Sequence, residues 1–449
     1  MPLRVAQWRR RGGVSPSTAA FVVVIVIMIS LIAYATSVAG EIVSGPCMIS
    51  QGPDSSSSGI KIGFLTELTG SSVSFGYAAR IAAELAVNET NSAGGVGGRP
   101  IDLVFGDSQS FPQVATRCAS ALDQQGVLAI TGTTNLGDAL AVEGYAESNS
   151  VPFVVSAVSS GQLTPPGHSW TVSVQPDAVQ WGAAVAKYVS EAVPSPKIAL
   201  MTQNAPQQKE MTAGVRWYAD TFRNETIVFD QVYANAQFAW ATAAAAAKLS
   251  GANVVVLSWL PTVGFSESNV FQALLTAGFL PSQIFVADAT DQISDLGTNG
   301  EGVRGVTVFD GAMASGNPNA SSFFNELQPF VNGELQSNEY CGVCPTEVGP
   351  VYYYTYLGME MMIKSIQSIV SSGQPLTRAS FESAIRQATI QDAFGGALSF
   401  TPSGASIGQY YAVQVGKLNS TTNMYPFSIV KSFRFEPGSV PAYRLAKSG

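Results

Sequence analysis

The sequence predicts an α/β protein of two doubly wound lobes, preceded by one N-terminal apolar helix. Three observations carry this expectation. From Ile60 onward, short runs rich in Val, Ile and Phe alternate with helical stretches, the pattern of a parallel sheet whose crossovers are helices. The alternation restarts after Gln175-Pro176 with the same grammar and no sequence repeat. A late stretch, Leu398–Phe435, reads instead as antiparallel strands, so the chain visits its first lobe again and leaves a cleft between the two.

Taken in order, Lys61–Leu65 reads as a strand and Tyr77–Glu89 as a helix with Ala79, Ala82, Ala83 and Ala86 on a close-packing face. The strand Ile101–Phe105, the helix Gln113–Gln124, the strand Leu128–Thr131, the helix Asp138–Asn149 and the strand Phe153–Val155 complete the first unit. In the second, the helices Ala178–Ala192, Met211–Phe222, Phe238–Leu249 and Asn269–Ala277 separate strands at Lys197–Met201, Ile227–Val232, Asn253–Leu257, Ile284–Val286 and Val306–Phe309. Val348–Ser371 and Arg378–Ala388 are helical, and Tyr352, Tyr353, Tyr354 and Tyr356 read as packing between the lobes. The glycines of GGVGGR precede a strand instead of following one, so they are no dinucleotide fingerprint.

Two strand ends carry the functional signal. ITGTTNLGD (130–138) and VPFVVSAVSSGQLT (151–164) are apolar runs that stop in small hydroxyl and amide residues. Ligands of open α/β sheets bind beyond the carboxyl ends of such strands. Thr133, Thr134, Ser156, Ser159 and Ser160 would line a pocket with uncharged hydrogen-bonding groups, suited to holding a small polar solute.

Composition narrows the classes. At 449 residues the chain has room for two domains and an appendage, and 46% hydrophobic against 12% charged residues implies large cores. A net charge of −8 and a pI near 4.8, with no basic stripe after residue 11, argue against nucleic acid. His168, in the turn PPGHSW, is the only histidine and reads as an exposed loop residue. Histidine-based triads and metal sites would all need it, so no metal or other cofactor is expected. Arg4, Arg9, Arg10 and Arg11 precede a charge-free stretch from Gly12 to Gly40 with its apolar heart at Ala19–Ala35. Residues 1–40 are expected to be a cytoplasmic stub with a signal anchor or a cleavable signal peptide, which exports everything beyond. Residues 41–59, rich in Ser and Gly, read as a flexible linker. Four cysteines in an exported chain favour disulfides, first a local bridge between Cys341 and Cys344 in CGVC, next a pairing of these with Cys118 or Cys47.

KIGFLTELTGSSVSFG (61–76), NETNSAGGVGGRPIDLVFGDSQSFP (88–112) and VPFVVSAVSSGQLT together resemble type I periplasmic solute-binding proteins, in the leucine/isoleucine/valine-binding branch that serves ABC importers. The resemblance spans about Ile60 to Phe435. It implies two Rossmann-like lobes joined by a three-stranded hinge, with crossings near Val174–Asp177, Phe309–Gly311 and Thr401–Ile407. Lobe 1 would comprise 60–176 and 310–402, lobe 2 177–309 and 403–440. The family's strand-end hydroxyl pair falls at Leu136 and Ser159, so Thr134 or Asn135 would substitute for the first. Ala157 matches the carbonyl that accepts from a ligand ammonium, Asp288 the second lobe's acidic partner, and Phe75 and Trp259 the aromatic walls. The family's second-lobe tyrosine has no counterpart in Asn204–Gln208. The implied partners are a small polar solute such as an amino acid or amide, an ABC permease with its ATPase, and the membrane through the N-terminal helix. A sensing domain acting with a partner receptor is the alternative, and an exported enzyme the third, unsupported by any nucleophile elbow or paired-carboxylate motif.

Overall fold

The computed structural model describes residues 46–52, 56, 58–222, 225–233, 240–258, 267–287, 300–309, 321–323, 325–327, 329, 349–418 and 426–435. The chain divides into two units, Met1–Pro46 and Cys47–Gly449. The N-terminal apolar helix lies outside the described residues. Among the described residues no helix is long and apolar enough to cross a membrane.

The first sheet joins β1 (Met48–Gln51), β2 (Ile60–Thr66), β3 (Ile101–Asp107), β4 (Ile130–Thr131), β5 (Phe153–Val155) and β6 (Thr171–Ser173) in the order β1-β3-β2-β4-β5-β6. All neighbours are parallel except β1 on β3. Helices α1 (Val73–Ser92), α2 (Pro112–Gln124) and α3 (Leu136–Asn149) supply the crossovers. β3 is buried along its whole length, as expected for a strand covered on both faces.

The second sheet runs β16-β15-β11-β10-β9-β7-β8. Its parallel part is β7 (Lys197–Gln203), β8 (Thr226–Tyr233), β9 (Val254–Ser258), β10 (Ile284–Val286) and β11 (Arg304–Thr307). β15 (Tyr410–Val415) and β16 (Phe427–Phe433) add an antiparallel edge. Helices α4 (Ala178–Ala192), α5 (Pro206–Phe222), α6 (Trp240–Leu249) and α7 (Glu267–Thr276) accompany it. Where α4 and α5 cross, glycine is obligatory: a Cβ on Gly182 would meet Met211 O at 1.6 Å, and one on Gly214 would meet Val179 O at 1.9 Å.

Of the crossing expected at Phe309–Gly311, residues 310 and 311 lie outside the described residues. The chain leaves the first sheet after β6 and enters α4 through Val174–Asp177. α8 (Gly349–Ser371) packs on α1, where Tyr356 donates to Glu89 Oε2 at 2.8 Å, and α9 (Arg378–Gln387) packs on α8. A small antiparallel sheet of β12 (Ile390–Gln391), β13 (Ala397–Phe400) and β14 (Ser406–Ile407) precedes the return into β15. In the tyrosine cluster of α8, Tyr353 stacks on Phe309 with ring centroids 3.7 Å apart, and the Tyr354 hydroxyl donates to Val308 O. One buried core runs through both sheets, from Ile62 and Phe64 through α4 and α8 to Val254 and Phe285.

Three sequence expectations need correction. Residues 48–51, within the stretch read as linker, form an edge strand on β3, and Cys47 beside them is bonded to Cys118 of α2. That disulfide removes both partners proposed for CGVC, and Cys341 and Cys344 themselves lie outside the described residues. Loop composition misled here, because four backbone pairings and a covalent tie outweigh a Ser/Gly-rich context. β6, a three-residue strand after PPGHSW, escaped notice because it is too short to show periodicity. Finally, His168 is not a free loop residue: its Nδ1 lies 2.5 Å from Glu143 Oε1, because the 3-10 turn Gly161–Leu163 and the following loop fold back over α3.

Candidate functional site

The carboxyl ends of the first sheet converge as the sequence requires, but with a different set of partners. Thr133 is fully buried, and its Oγ1 finds no hydrogen-bond acceptor or donor among the described residues. Thr134 and Asn135 are both half-buried. Both bind the carboxylate of Glu67, which directly follows β2. The Thr134 hydroxyl donates to Oε2, while the Thr134 N–H and the Asn135 amide donate to Oε1 at 3.3 and 2.8 Å. Asn135 also caps α3, its Oδ1 accepting from Asp138 N–H at 2.9 Å.

Glu67 is completely buried, and burial pushes its pKa up to about 8; the Thr134 hydrogen bond opposes the rise and Asp138 adds to it. Asp138 is raised as well, chiefly by burial and against hydrogen bonds from Ser108 and Asn135. The floor of the first lobe is therefore a pair of interacting carboxyls set among hydroxyls.

At the β5 end the hydroxyls reach toward the second lobe. Ser159 Oγ donates to Pro176 O at 2.5 Å, within the β6–α4 crossing. Ser160 Oγ donates to Glu210 Oε1 at 2.7 Å. The N–H of Gly161 and the side-chain amide of Gln162 donate to the same carboxylate at 3.1 and 2.6 Å. Glu210 belongs to α5, so this cradle ties the two lobes together. Burial raises its pKa, the Gln162 and Ser160 hydrogen bonds oppose that, and Asp177 adds to it. Ser156 shares a contact of 3.1 Å with the Thr131 hydroxyl.

The second lobe presents its own strand ends. Thr202 and Ser258 are paired in register at the ends of β7 and β9, both fully buried. Ser258 Oγ donates to the backbone oxygen of Gln208, in the first turn of α5, at 3.3 Å. Thr202 Oγ1 and both amide atoms of Gln208 are buried and without a hydrogen-bond partner among the described residues. Such orphaned polar groups cost stability where they stand, and they mark places for a ligand or water.

Of the remaining sequence candidates, Ala157 is buried beside the β5 end and Phe75, at the start of α1, is 43% exposed. Trp259 and Asp288 lie outside the described residues. Sequence reasoning missed Glu67, Glu210, Thr202 and Gln208. Glu67 and Gln208 each sit within a few residues of a strand end, the signal that found the hydroxyls, but carboxylates and amides were not sought there. Glu210 had no such signal, because only tertiary folding brings it to Ser160.

Two α/β lobes joined by several crossings, with buried polar groups at the carboxyl edges of both sheets, define the two-lobed solute-binding proteins of type I. Residues 59–421 match the family model described as periplasmic binding protein, and the chain belongs to that family. A Leu/Ile/Val-binding protein homolog from Brucella melitensis is 31% identical over 108 residues; that match spans 24% of this chain and 29% of the relative's length. Another from Brucella abortus is 21% identical over 316 residues, 70% of this chain and 79% of the relative. Among solved structures, an ABC transporter substrate-binding protein from Sphaerobacter thermophilus superposes with a TM-score of 0.71 at 19% identity, covering 84% of this chain and 98% of the other. A solute-binding protein from Rhodopseudomonas palustris, in complex with 3,4-dihydroxybenzoic acid, gives 0.66 at 17% identity, covering 86% and 99%. The family is one of solute-binding proteins and implies an extracytoplasmic location.

Proposed function

We propose that the protein is the solute-capturing component of an ABC importer and closes its two lobes over an amino acid or a similarly small amide-bearing solute. The observation that carries this reading is the set of buried, unpartnered polar groups at the edges of both sheets: Thr133 in the first lobe, Thr202 and Gln208 in the second. They offer hydroxyl and amide groups of both polarities and no charge. Each hydrogen bond a solute forms with them contributes about 0.5–1.5 kcal/mol, and the lobes close because the solute binds the closed form more tightly. The relatives' names include branched-chain amino acids and an aromatic acid. Hydroxyl and amide groups that both donate and accept favour the former, because an amino acid carries both an ammonium and a carboxylate. Phe75, Trp259 and Asp288 are proposed as further contacts, and the apolar stretch near residues 19–38 as a membrane anchor or as a signal peptide whose cleavage releases the protein. Calorimetry of the chain against amino acids, short amides and benzoates tests the proposal. Binding of an amino acid or amide that Gln208→Ala weakens about tenfold supports it. Binding of benzoates alone, or of no solute in the panel, overturns it.

A further inference from the structure

His168 and its neighbours take no part in the proposed solute site, yet they form a polar cluster of their own on the first lobe. Glu143 and Glu147 lie one turn apart on α3 and so share a face. The loop Pro165–Trp170 folds over that face, with Gly167 at a φ of +101° turning the chain just before His168. One ligand atom from each of Glu143, Glu147 and His168 lies within 4.8 Å of the others. Glu143 is only 8% exposed. Its Oε1 and the His168 Nδ1 lie 2.5 Å apart in ion-pair contact. A metal cation can take the place of the proton that bridges two such atoms. Glu147 is held in place from behind, its two oxygens accepting from the N–H groups of Ser169 and Trp170 at 2.9 Å each.

We propose that Glu143, Glu147 and His168 form a zinc-binding site. Imidazole nitrogen and carboxylate oxygen are both zinc ligands, and three of them leave a fourth tetrahedral position for water. Both His168 and Glu147 are half-exposed, so water can reach the ion. The two carboxylates cancel the charge of the cation, and the backbone N–H groups on Glu147 supply the outer shell that fixes a ligand's orientation. An imidazole disfavours calcium and magnesium, which take oxygen ligands.

The site lies away from the solute-binding edge. Trp170 O accepts from Phe153 N–H at 2.7 Å, which puts this loop at the amino end of β5, whereas Ser159 and Ser160 follow its carboxyl end. A bound ion would pin α3 to the connection between Ser160 and β6. It would stiffen the backing of the Glu210 cradle without touching the solute.

Zinc chloride titrated calorimetrically into the full chain, oxidised and free of any histidine tag, tests the assignment. The expected result is one ion per chain, with affinity reduced about tenfold or more by His168→Gln and by Glu147→Gln. Glu147→Gln keeps an acceptor for Ser169 and Trp170, so it separates ligand loss from misfolding, and the thermal midpoint of each variant without zinc confirms the fold. A Cys341→Ser/Cys344→Ser variant binds zinc like the parent. No binding by the parent, binding unchanged in His168→Gln, or binding abolished by the cysteine substitutions overturns the proposal.

Discussion

Glu67 is the group whose perturbation reads most directly on the first lobe. Its carboxyl is fully buried, accepts from Thr66, Thr134 and Asn135, and has its pKa lifted from 4.5 to about 8 by burial. In the unfolded chain the same group titrates near 4.5, so between that pH and about 8 the folded protein holds a proton that the unfolded chain has released. The stabilisation is fully present below the unfolded value and is lost as pH rises through the folded one. Over a window of about 3.5 pH units, at about 1.36 kcal/mol each, the loss amounts to about 5 kcal/mol. Glu67→Gln replaces the neutral acid with a neutral isostere, and the hydroxyls of Thr66 and Thr134 can turn to accept from its amide. Urea unfolding between about pH 5 and about pH 8 covers most of that window and should then show the parent losing about 3.5 kcal/mol more than the variant. Glu225, a second carboxyl that burial raises to about 8, adds the same slope to both proteins and cancels in the difference. Parallel pH profiles would mean that Glu67 is ionised throughout, and the account of a protonated floor would be wrong.

Two further outcomes follow from the same geometry. Glu210→Ala strips the acceptor from Ser160, Gly161 and Gln162 and leaves the buried Ser160 hydroxyl with no acceptor for its proton, so stability should fall by about 2–3 kcal/mol in urea. A loss below about 0.5 kcal/mol would show that the cradle is not a structural tie between the lobes. The Cys47–Cys118 bridge closes a loop with a sequence separation of 71, so Cys47→Ser with Cys118→Ser should cost about 4 kcal/mol. Hydrogen exchange should then be fastest in β1, the edge strand that the bridge holds on β3; protection there equal to the parent's would refute the assignment.

Much of the architecture was legible because buried parallel strands leave local marks. IKIGFLT, IDLVFGD and VVVLS are apolar runs bounded by turns, and their order alone implies helical crossovers. The hydroxyls of the candidate site were legible for the same reason: they follow strands. Short pieces without periodicity, β1 and β6, were not legible.

Local residue patterns suffice to establish two α/β lobes, strand ends rich in Thr and Ser at their edges, and a likeness to solute-binding proteins. They do so through local chemistry, in which apolar period, turn residues and motif order act over a few residues. What those hydroxyls touch emerges only on folding. Thr134 meets Glu67 from 67 positions away, Ser160 meets Glu210 across 50, and Cys47 meets Cys118 across 71. Contacts at such separations depend on how whole helices settle on their sheets, so no short stretch of residues records them. Buried carboxyls, which find their partners only after packing has excluded water, therefore surfaced only in the folded molecule.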